Sequence, residues 1–167
     1  MAKSAALERL VAKVLDREPI GLDYLDMDVT TQRSASRARL SVCEALFSFL
    51  GNNDDDPVWQ NIREPIGDAL ANTLKHNDSR GIAYVAHGVA DGRFVVIIVN
   101  SCCIGCRPRY KPLQTSEEGH RGFIIIKGML CHPDVKDRVK FYPYLPPIGQ
   151  PGFAQAIFTI LPRATTT

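Results

Sequence analysis

The stretch Asp68-Ala-Leu-Ala-Asn72-Thr-Leu-Lys75-His76 decides the fold, and it lies late in an amphipathic run that begins near Val58. Apolar residues recur through this run at helical spacing and predict one buried face, formed by Ile62, Ile66, Ala69, Leu70, Thr73 and Leu74. A polar stripe adjoins that face, since positions three, four or eight apart share one side of a helix; its members are Asp68, Asn72, Lys75 and His76. A carboxylate and an amide one turn apart can hold a hydrated metal ion and, through it, a phosphate chain. A surface helix with a merely solvated stripe shows the same pattern.

The composition is that of an ordinary globular chain. With 167 residues and a formal net charge of +2, the sequence predicts one domain with a sizeable core and lacks the basic footprint of a general nucleic-acid binder. The longest apolar run, residues 94–99, has the length of a strand and is too short to cross a membrane. Met1-Ala-Lys-Ser4 leads into an amphipathic pattern instead of an apolar signal segment. We therefore expect a cytoplasmic protein that binds neither nucleic acid nor membrane.

Cysteines stand at the five positions 43, 102, 103, 106 and 131. In the cytoplasm we expect reduced thiols, and an odd count argues against a complete disulfide framework. Cys103 and Cys106 form a C-x-x-C pair directly after Cys102. A zinc site at this pair requires two further ligands, to be drawn from Cys131, His132 or His120. A redox role requires a thiol of lowered pKa, for which Arg107 and Arg109 offer positive charge, whereas plain loop thiols require neither.

Apolar periodicity predicts the helices, and capping and helix-breaking residues predict their ends. Helices are predicted over residues 5–15, 32–50 and 57–76, with Pro19 and Gly21 ending the first and Thr30 or Thr31 capping the second. The acidic run at residues 54–56 favours the start of the third helix. Pro65 lies inside that helix, removes one backbone donor and predicts a kink or a late helix start. A further short helix is predicted over residues 123–130.

Alternating runs predict five strands, over residues 22–30, 81–89, 93–99, 137–144 and 154–161. The Asp91-Gly92 pair between two of them predicts a tight hairpin. Residues 100–118 are expected to form a long irregular loop. The order predicts an α+β fold, a two-layer sandwich with a mostly antiparallel sheet and helices on one face. We divide the chain into an N-terminal helix over residues 1–21, which is either a dimer element or a lid on the core, one domain over residues 22–162, and a tail over residues 163–167.

Four motifs occur in an order that is found in a known superfamily. The stretch from Asp68 to His76 resembles the N-box, usually Glu-x-x-x-Asn with a following His. The strand over residues 93–99 with Asn100 resembles the approach to a first glycine box, and Glu118-Gly119-His120-Arg121-Gly122 resembles a second glycine box at a helix start. Residues 152–162 resemble the closing strand. Over residues 22–162 the chain thus resembles the GHKL ATPase/kinase superfamily, and in layout the anti-sigma-factor serine kinases and the catalytic domains of histidine kinases.

The resemblance implies ATP and magnesium as cofactors. It implies that Asp68 is the catalytic residue that polarises a water or the acceptor hydroxyl, and that Asn72 binds the Mg²⁺ bridging the phosphates. It further implies a nucleotide-binding set of Asn72, Lys75, His76, Asn100, Gly105, Gly119, His120, Arg121 and Gly122. Glycines at a helix start suit a bound phosphate, and phosphoryl transfer needs mainly positioning and charge neutralisation.

The sequence departs from the family pattern at three points of this site, which has a half that binds the phosphates and a half that binds adenine. The N-box acid is Asp68, one methylene shorter than the usual Glu. Asn100 stands where relatives carry an Asp that accepts from the adenine amino group, and an amide offers donors as well as an acceptor. Gly105 is the one glycine clearly kept in the first box, whose glycines let backbone approach the nucleotide. The phosphate half of the site is therefore better kept than the adenine half.

These features support three functional hypotheses. The first is a histidine-kinase-like nucleotide-binding domain that acts as an anti-sigma-type protein kinase, ATPase or signalling regulator. No histidine precedes His76, so such a kinase phosphorylates another protein. The second is a degenerate, non-catalytic GHKL-like module that binds a signalling partner, such as a sigma factor or response regulator. The third is an unrelated α+β domain whose cysteine loop binds metal.

Overall fold

A computed structural model describes residues 5–16, 18, 21–27, 31–77, 81–103, 126, 128 and 130–162. The elements follow in the order α1 (Ala5–Asp16), β1 (Asp23–Asp26), α2 (Gln32–Phe49), α3 (Pro57–Lys75), β2 (Ala83–Ala90), β3 (Arg93–Cys102), β4 (Val139–Tyr144) and β5 (Gly152–Ile160). Ile126 and Gly128 are also helical, inside the segment with the predicted short helix. The α+β class predicted from the sequence is confirmed. None of the helices in these residue ranges is long and apolar enough to cross a membrane.

In the described part of the chain, the strands form one five-stranded antiparallel sheet in the order β1-β2-β3-β5-β4. The longest pairing joins the central strand β3 to β5, from Phe94 opposite Ile160 to Cys102 opposite Gly152. The turn between β2 and β3 has φ angles of 52° at Asp91 and 70° at Gly92. Two successive left-handed residues are typical of a two-residue type I′ hairpin. The hairpin predicted from the Asp-Gly pair is therefore confirmed.

Side chains of β3 enter two separate cores, because successive residues of a strand point to opposite faces. Phe94, Val96 and Ile98 pack in one cluster with α2 and α3. Neighbouring residues of β3 pack in a second cluster with α1; its members include Leu7, Val11, Val14, Val95, Ile97, Val99 and Ile157. The sequence predicts helices on one face, where α2 and α3 lie. The structure adds α1 as a lid on the other face, since β3 is apolar on both sides.

Side-chain caps determine where α2 and α3 begin. Thr31 caps α2, and its Oγ1 accepts from the backbone N–H of Ser34 at 3.4 Å. Asp56 caps α3, and its Oδ1 accepts from the N–H of Val58 at 2.8 Å. The helix then continues through Pro65. The late start predicted from Pro65 is wrong, because the cap and the proline at residue 57 fix the beginning, while the Pro65 ring lies on the buried face.

Several predicted boundaries shift. β1 ends at Asp26, whereas the prediction continued to residue 30, and residues 28–30 lie outside the described part. β4 begins at Val139, because turns occupy the preceding residues; the N–H of Arg138, for example, donates to the carbonyl of Val135 at 3.0 Å. β3 runs on to Cys102. Residues 100–102 therefore belong to a strand instead of the predicted loop, because β5 supplies partners for each of them.

Candidate functional site

The N-box residues occupy the last two turns of α3. Asp68 is exposed, and Asn72 is half-buried at the margin of the core face. Lys75, the last residue of the helix, is exposed, as is its C-cap His76. The N–H of His76 donates to the carbonyl of Asn72 at 3.0 Å. The helix therefore presents a carboxylate and an amide one turn apart, followed by two basic side chains at its end.

Asn100 lies on the face of the sheet that α3 covers. It is in register with Phe94, Val96 and Ile98, which pack against α2 and α3, and β3 keeps unbroken pairing with β5 through this region. Its neighbour across the ladder in β2 is Ala83, and residues 76–82 connect α3 to that strand. Asn100 and the end of α3 therefore share one face and one end of the sheet.

Hydrogen bonds around Asn100 hold the backbone at the end of β3. Asn100 is 7% exposed, and its Nδ2 donates to the carbonyl of Ser101 at 3.1 Å. Ser101 exchanges two hydrogen bonds with Ile82: its N–H donates to the Ile82 carbonyl at 2.8 Å, and its Oγ accepts from the Ile82 N–H at 3.0 Å. The amide oxygen of Asn100 offers an acceptor beside the donor already in use.

The remaining predicted binding residues, Gly105, Gly119, His120, Arg121 and Gly122, lie outside the described residues. The same holds for the predicted loop beyond Cys103 and for the second glycine box. The structure therefore brings together Asp68, Asn72 and the two basic residues of α3, with Asn100 at the same end of the sheet.

The cysteines differ from the sequence expectation at one position. Cys103 is disulfide-bonded, whereas Cys43, Cys102 and Cys131 take part in no disulfide. The prediction of five reduced thiols is wrong for Cys103. It rested on the compartment, while a disulfide depends on the local approach of two Cβ atoms. Among the described side chains, no group of three or more His, Cys, Asp or Glu residues could hold a metal ion; Cys106 and His120 of the predicted zinc set lie outside them.

Sequence reasoning missed a polar cluster around the buried His87 of β2, formed with Asp23 of β1 and Ser41 of α2. His87 is 2% exposed, and its Nε2 lies 3.1 Å from the Ser41 Oγ. Its Nδ1 lies 4.0 Å from Oδ2 of Asp23, its neighbour across the ladder. A histidine amid the alternating apolar residues of β2 is the signal that could have revealed a buried role.

This cluster has the residue types of a serine hydrolase triad but a different geometry. Ser41 lies inside α2, where backbone N–H groups bond within the helix, so they cannot serve as an oxyanion hole. Asp23 is 80% exposed and its carboxylate is beyond hydrogen-bond distance of Nδ1. Burial lowers the pKa of His87, and the nearby Asp23 carboxylate opposes that shift. The cluster therefore holds a neutral imidazole between a helix and the sheet.

Comparison with known proteins identifies no family for this chain. No protein-family model matches the sequence, and no curated protein matches it either. The GHKL resemblance therefore stays a prediction, which rests on the order of the motifs and on the placement of Asp68, Asn72 and Asn100.

Proposed function

We propose that this chain is a histidine-kinase-like domain that binds magnesium–ATP and acts in cytoplasmic signal transduction. The observation that supports this best is the placement of the exposed Asp68 and the half-buried Asn72 one turn apart on α3, with Asn100 on the face of β3 that this helix covers. A nucleotide lying across this part of the fold meets metal-binding oxygens on the helix and an amide on the strand.

Each side chain has a chemical task in this proposal. The amide oxygen of Asn72 is a hard ligand suited to Mg²⁺, which keeps several waters and bridges phosphate oxygens. Asp68, exposed one turn earlier, polarises a water or the hydroxyl of a protein substrate. Lys75 and His76 lie at the end of the helix and are placed to neutralise phosphate charge. The partner is a sigma factor, a response regulator or another signalling protein, and a homodimer is a further assembly to test.

A non-catalytic module that grips such a partner is the second candidate. The observation that favours it is Asn100, a buried amide whose donor is already used by Ser101, at the position where relatives read adenine with a carboxylate. If the base is recognised weakly, nucleotide binding depends on the phosphates and the metal alone. A domain of this kind can keep its fold for binding a partner protein without hydrolysing ATP.

Titration calorimetry with ATP, GTP and ADP, with and without Mg²⁺, tests the proposal. We expect magnesium-dependent binding that Asn72→Ala weakens at least about tenfold, through loss of a metal ligand. The matched control is Asn61→Ala, also on α3, whose Nδ2 only donates to the carbonyl of Pro57 at 2.7 Å; it should bind nucleotide as the wild type does. If no nucleotide binds at millimolar concentration, the partner-binding module is the better account. Light scattering of the same samples reports whether the chain forms a homodimer.

A further inference from the structure

His87 lies where three elements meet. Its ring is buried between α2, which supplies the Ser41 hydroxyl, and the sheet, where β1 supplies Asp23. The ring of Phe94 from β3 lies at a centroid distance of 6.2 Å. Among the described residues, Nδ1 of His87 is a buried atom with no hydrogen-bond partner. A neutral imidazole tolerates this arrangement, because Nδ1 can keep its bare lone pair while Nε2 bonds Ser41.

Protonation changes what the site requires. Both ring nitrogens then donate, and the Nδ1–H faces a carboxylate whose oxygen lies 4.0 Å away, too far for a hydrogen bond. Asp23 is the charged group that acts on His87 from β1, while α2 and β3 contribute the uncharged Ser41 and Phe94. A buried cation without a close partner is unfavourable. A protonated His87 is therefore stabilised only if a neighbouring element moves and brings Asp23 or water within hydrogen-bond distance of Nδ1.

β1 is the element best able to move. It has four residues at the edge of the sheet and pairs with β2 alone, and short edge elements open at low free energy. Gly88, next to His87, has φ 150°, and a Cβ there would lie 2.9 Å from Cδ2 of Leu22. The backbone conformation directly beside the histidine therefore favours glycine, while the end of the Leu22 side chain packs against it. Water is also near, because the Asp23 side chain is 80% exposed.

We propose that His87 is a proton-operated switch: the neutral ring bonds Ser41 of α2 and keeps β1 in place, and mild acid releases β1 while α2, β3 and β5 stay folded. The device is independent of nucleotide binding. The direction follows from linkage. Burial lowers the pKa of His87 from its ordinary value of 6.5, so the open form takes up the proton first. Opening is therefore promoted as the pH falls from 6.5 towards the lowered pKa, and is at its minimum above 6.5.

Amide hydrogen exchange of the full chain, expressed as protection relative to an unstructured peptide, measures this opening. As the pH falls below 6.5 we expect protection in β1 to decrease, by at most about tenfold per pH unit, the limit for one proton, and to level off below the lowered pKa of His87. Protection in β3 and β5 should stay constant. A uniform fall in all strands would indicate global acid unfolding and overturn the proposal, as would unchanged protection in β1.

Variants separate His87 from other groups. In His87→Gln, which keeps a hydrogen-bonding side chain for Ser41, the pH response should vanish; its persistence contradicts the proposal. Asp23→Asn removes the carboxylate that raises the pKa of His87, so the response should still begin near pH 6.5 but continue to lower pH before it levels off. The matched control is His132→Gln, which removes an exposed histidine 3.6 Å from Asp134 and should leave the response unchanged. Ring-proton titration by NMR adds a direct check, since a His87 pKa at or above 6.5 excludes the switch.

Discussion

Arg138 donates from Nη1 to both carboxylate oxygens of Asp56, at 2.9 and 3.0 Å, although the two residues are 82 positions apart. The Asp56 carboxylate is fully buried, and the same Oδ1 caps α3 through Val58. Nη2 of Arg138 reaches the carbonyl of Leu161 at 3.5 Å. One carboxylate thus fastens the start of α3 to the segment before β4 and the segment after β5.

Asp56→Asn should lower the free energy of unfolding by about 3 kcal/mol, because it leaves a largely buried guanidinium without its counter-charge. The amide oxygen can still cap the helix, so the loss reports mainly on the ion pair. Urea denaturation measures it. Asp54→Asn makes the same charge change at an exposed position of the same loop and should alter stability by less than about 0.5 kcal/mol. Equal effects of the two substitutions would show that Asp56 acts only through net charge.

Two glycines should respond differently to alanine because their neighbours differ in stiffness. A Cβ at Gly67 would lie 2.9 Å from Nε of Arg39, whereas one at Gly152 would lie 2.6 Å from Cβ of Pro146. The Arg39 side chain can swing away at the cost of an exposed pair with Glu64, worth about 0–1 kcal/mol, and of its contact with the Cys43 thiol. The helical gain of about 1 kcal/mol offsets much of this loss. The Pro146 ring has no such freedom, so a Cβ at Gly152 would displace the backbone. Urea unfolding should show Gly67→Ala near wild type and Gly152→Ala destabilised by about 1–3 kcal/mol.

Asn100→Asp tests whether the strand end reads a base. The substitution removes the donor to the Ser101 carbonyl and buries a carboxylate, so we expect a loss of about 1–3 kcal/mol in stability without ligand. If Asn100 faces adenine, ATP should restore more of the melting temperature than GTP does, and the wild type should discriminate less. Thermal melts with each nucleotide measure the difference. An identical response to ATP and GTP in the variant argues that Asn100 has a structural role alone.

The thiols should react in an order set by burial. Unfolded without reductant, the chain should show the thiols of Cys43, Cys102 and Cys131 as reactive, and that of Cys103 only after reduction. In the folded protein the exposed Cys131 should react first. Cys43 should be slower at neutral pH, because burial raises the pKa of its thiol despite the nearby Arg39, and the thiolate is the reactive form. A count of five before reduction would show that Cys103 is a thiol in solution.

Local signals were sufficient for most elements. Thr31 and Asp56 mark the starts of α2 and α3, and Asp91-Gly92 forms the predicted hairpin, because caps and turns depend on neighbours within a few residues. Apolar spacing also identified the core face of α3. In contrast, spacing shows only that α1 has a face to bury; the surface that accepts it comes from distant strands.

The polar contacts could not be read from the sequence for the same reason. Asp56 read as one of three consecutive acids in a turn, and its burial depends on Arg138, far along the chain. Ser41 and His87 meet across 46 positions. The candidate site could be predicted in part. Helical spacing places Asp68 and Asn72 on one side of α3, whereas the position of Asn100 depends on the register of β3 with β2 and β5.

The placement of α1 has a consequence for how the protein is made. Its apolar residues Leu7, Val11 and Val14 belong to the same cluster as Ile157 of the last strand. A nascent chain therefore carries this uncovered helix until β5 has been translated, since only then is the surface that receives it complete. Contacts between such distant segments close slowly and leave apolar surface open to other chains in the interval. α1 is thus translated well before the strands that bury it.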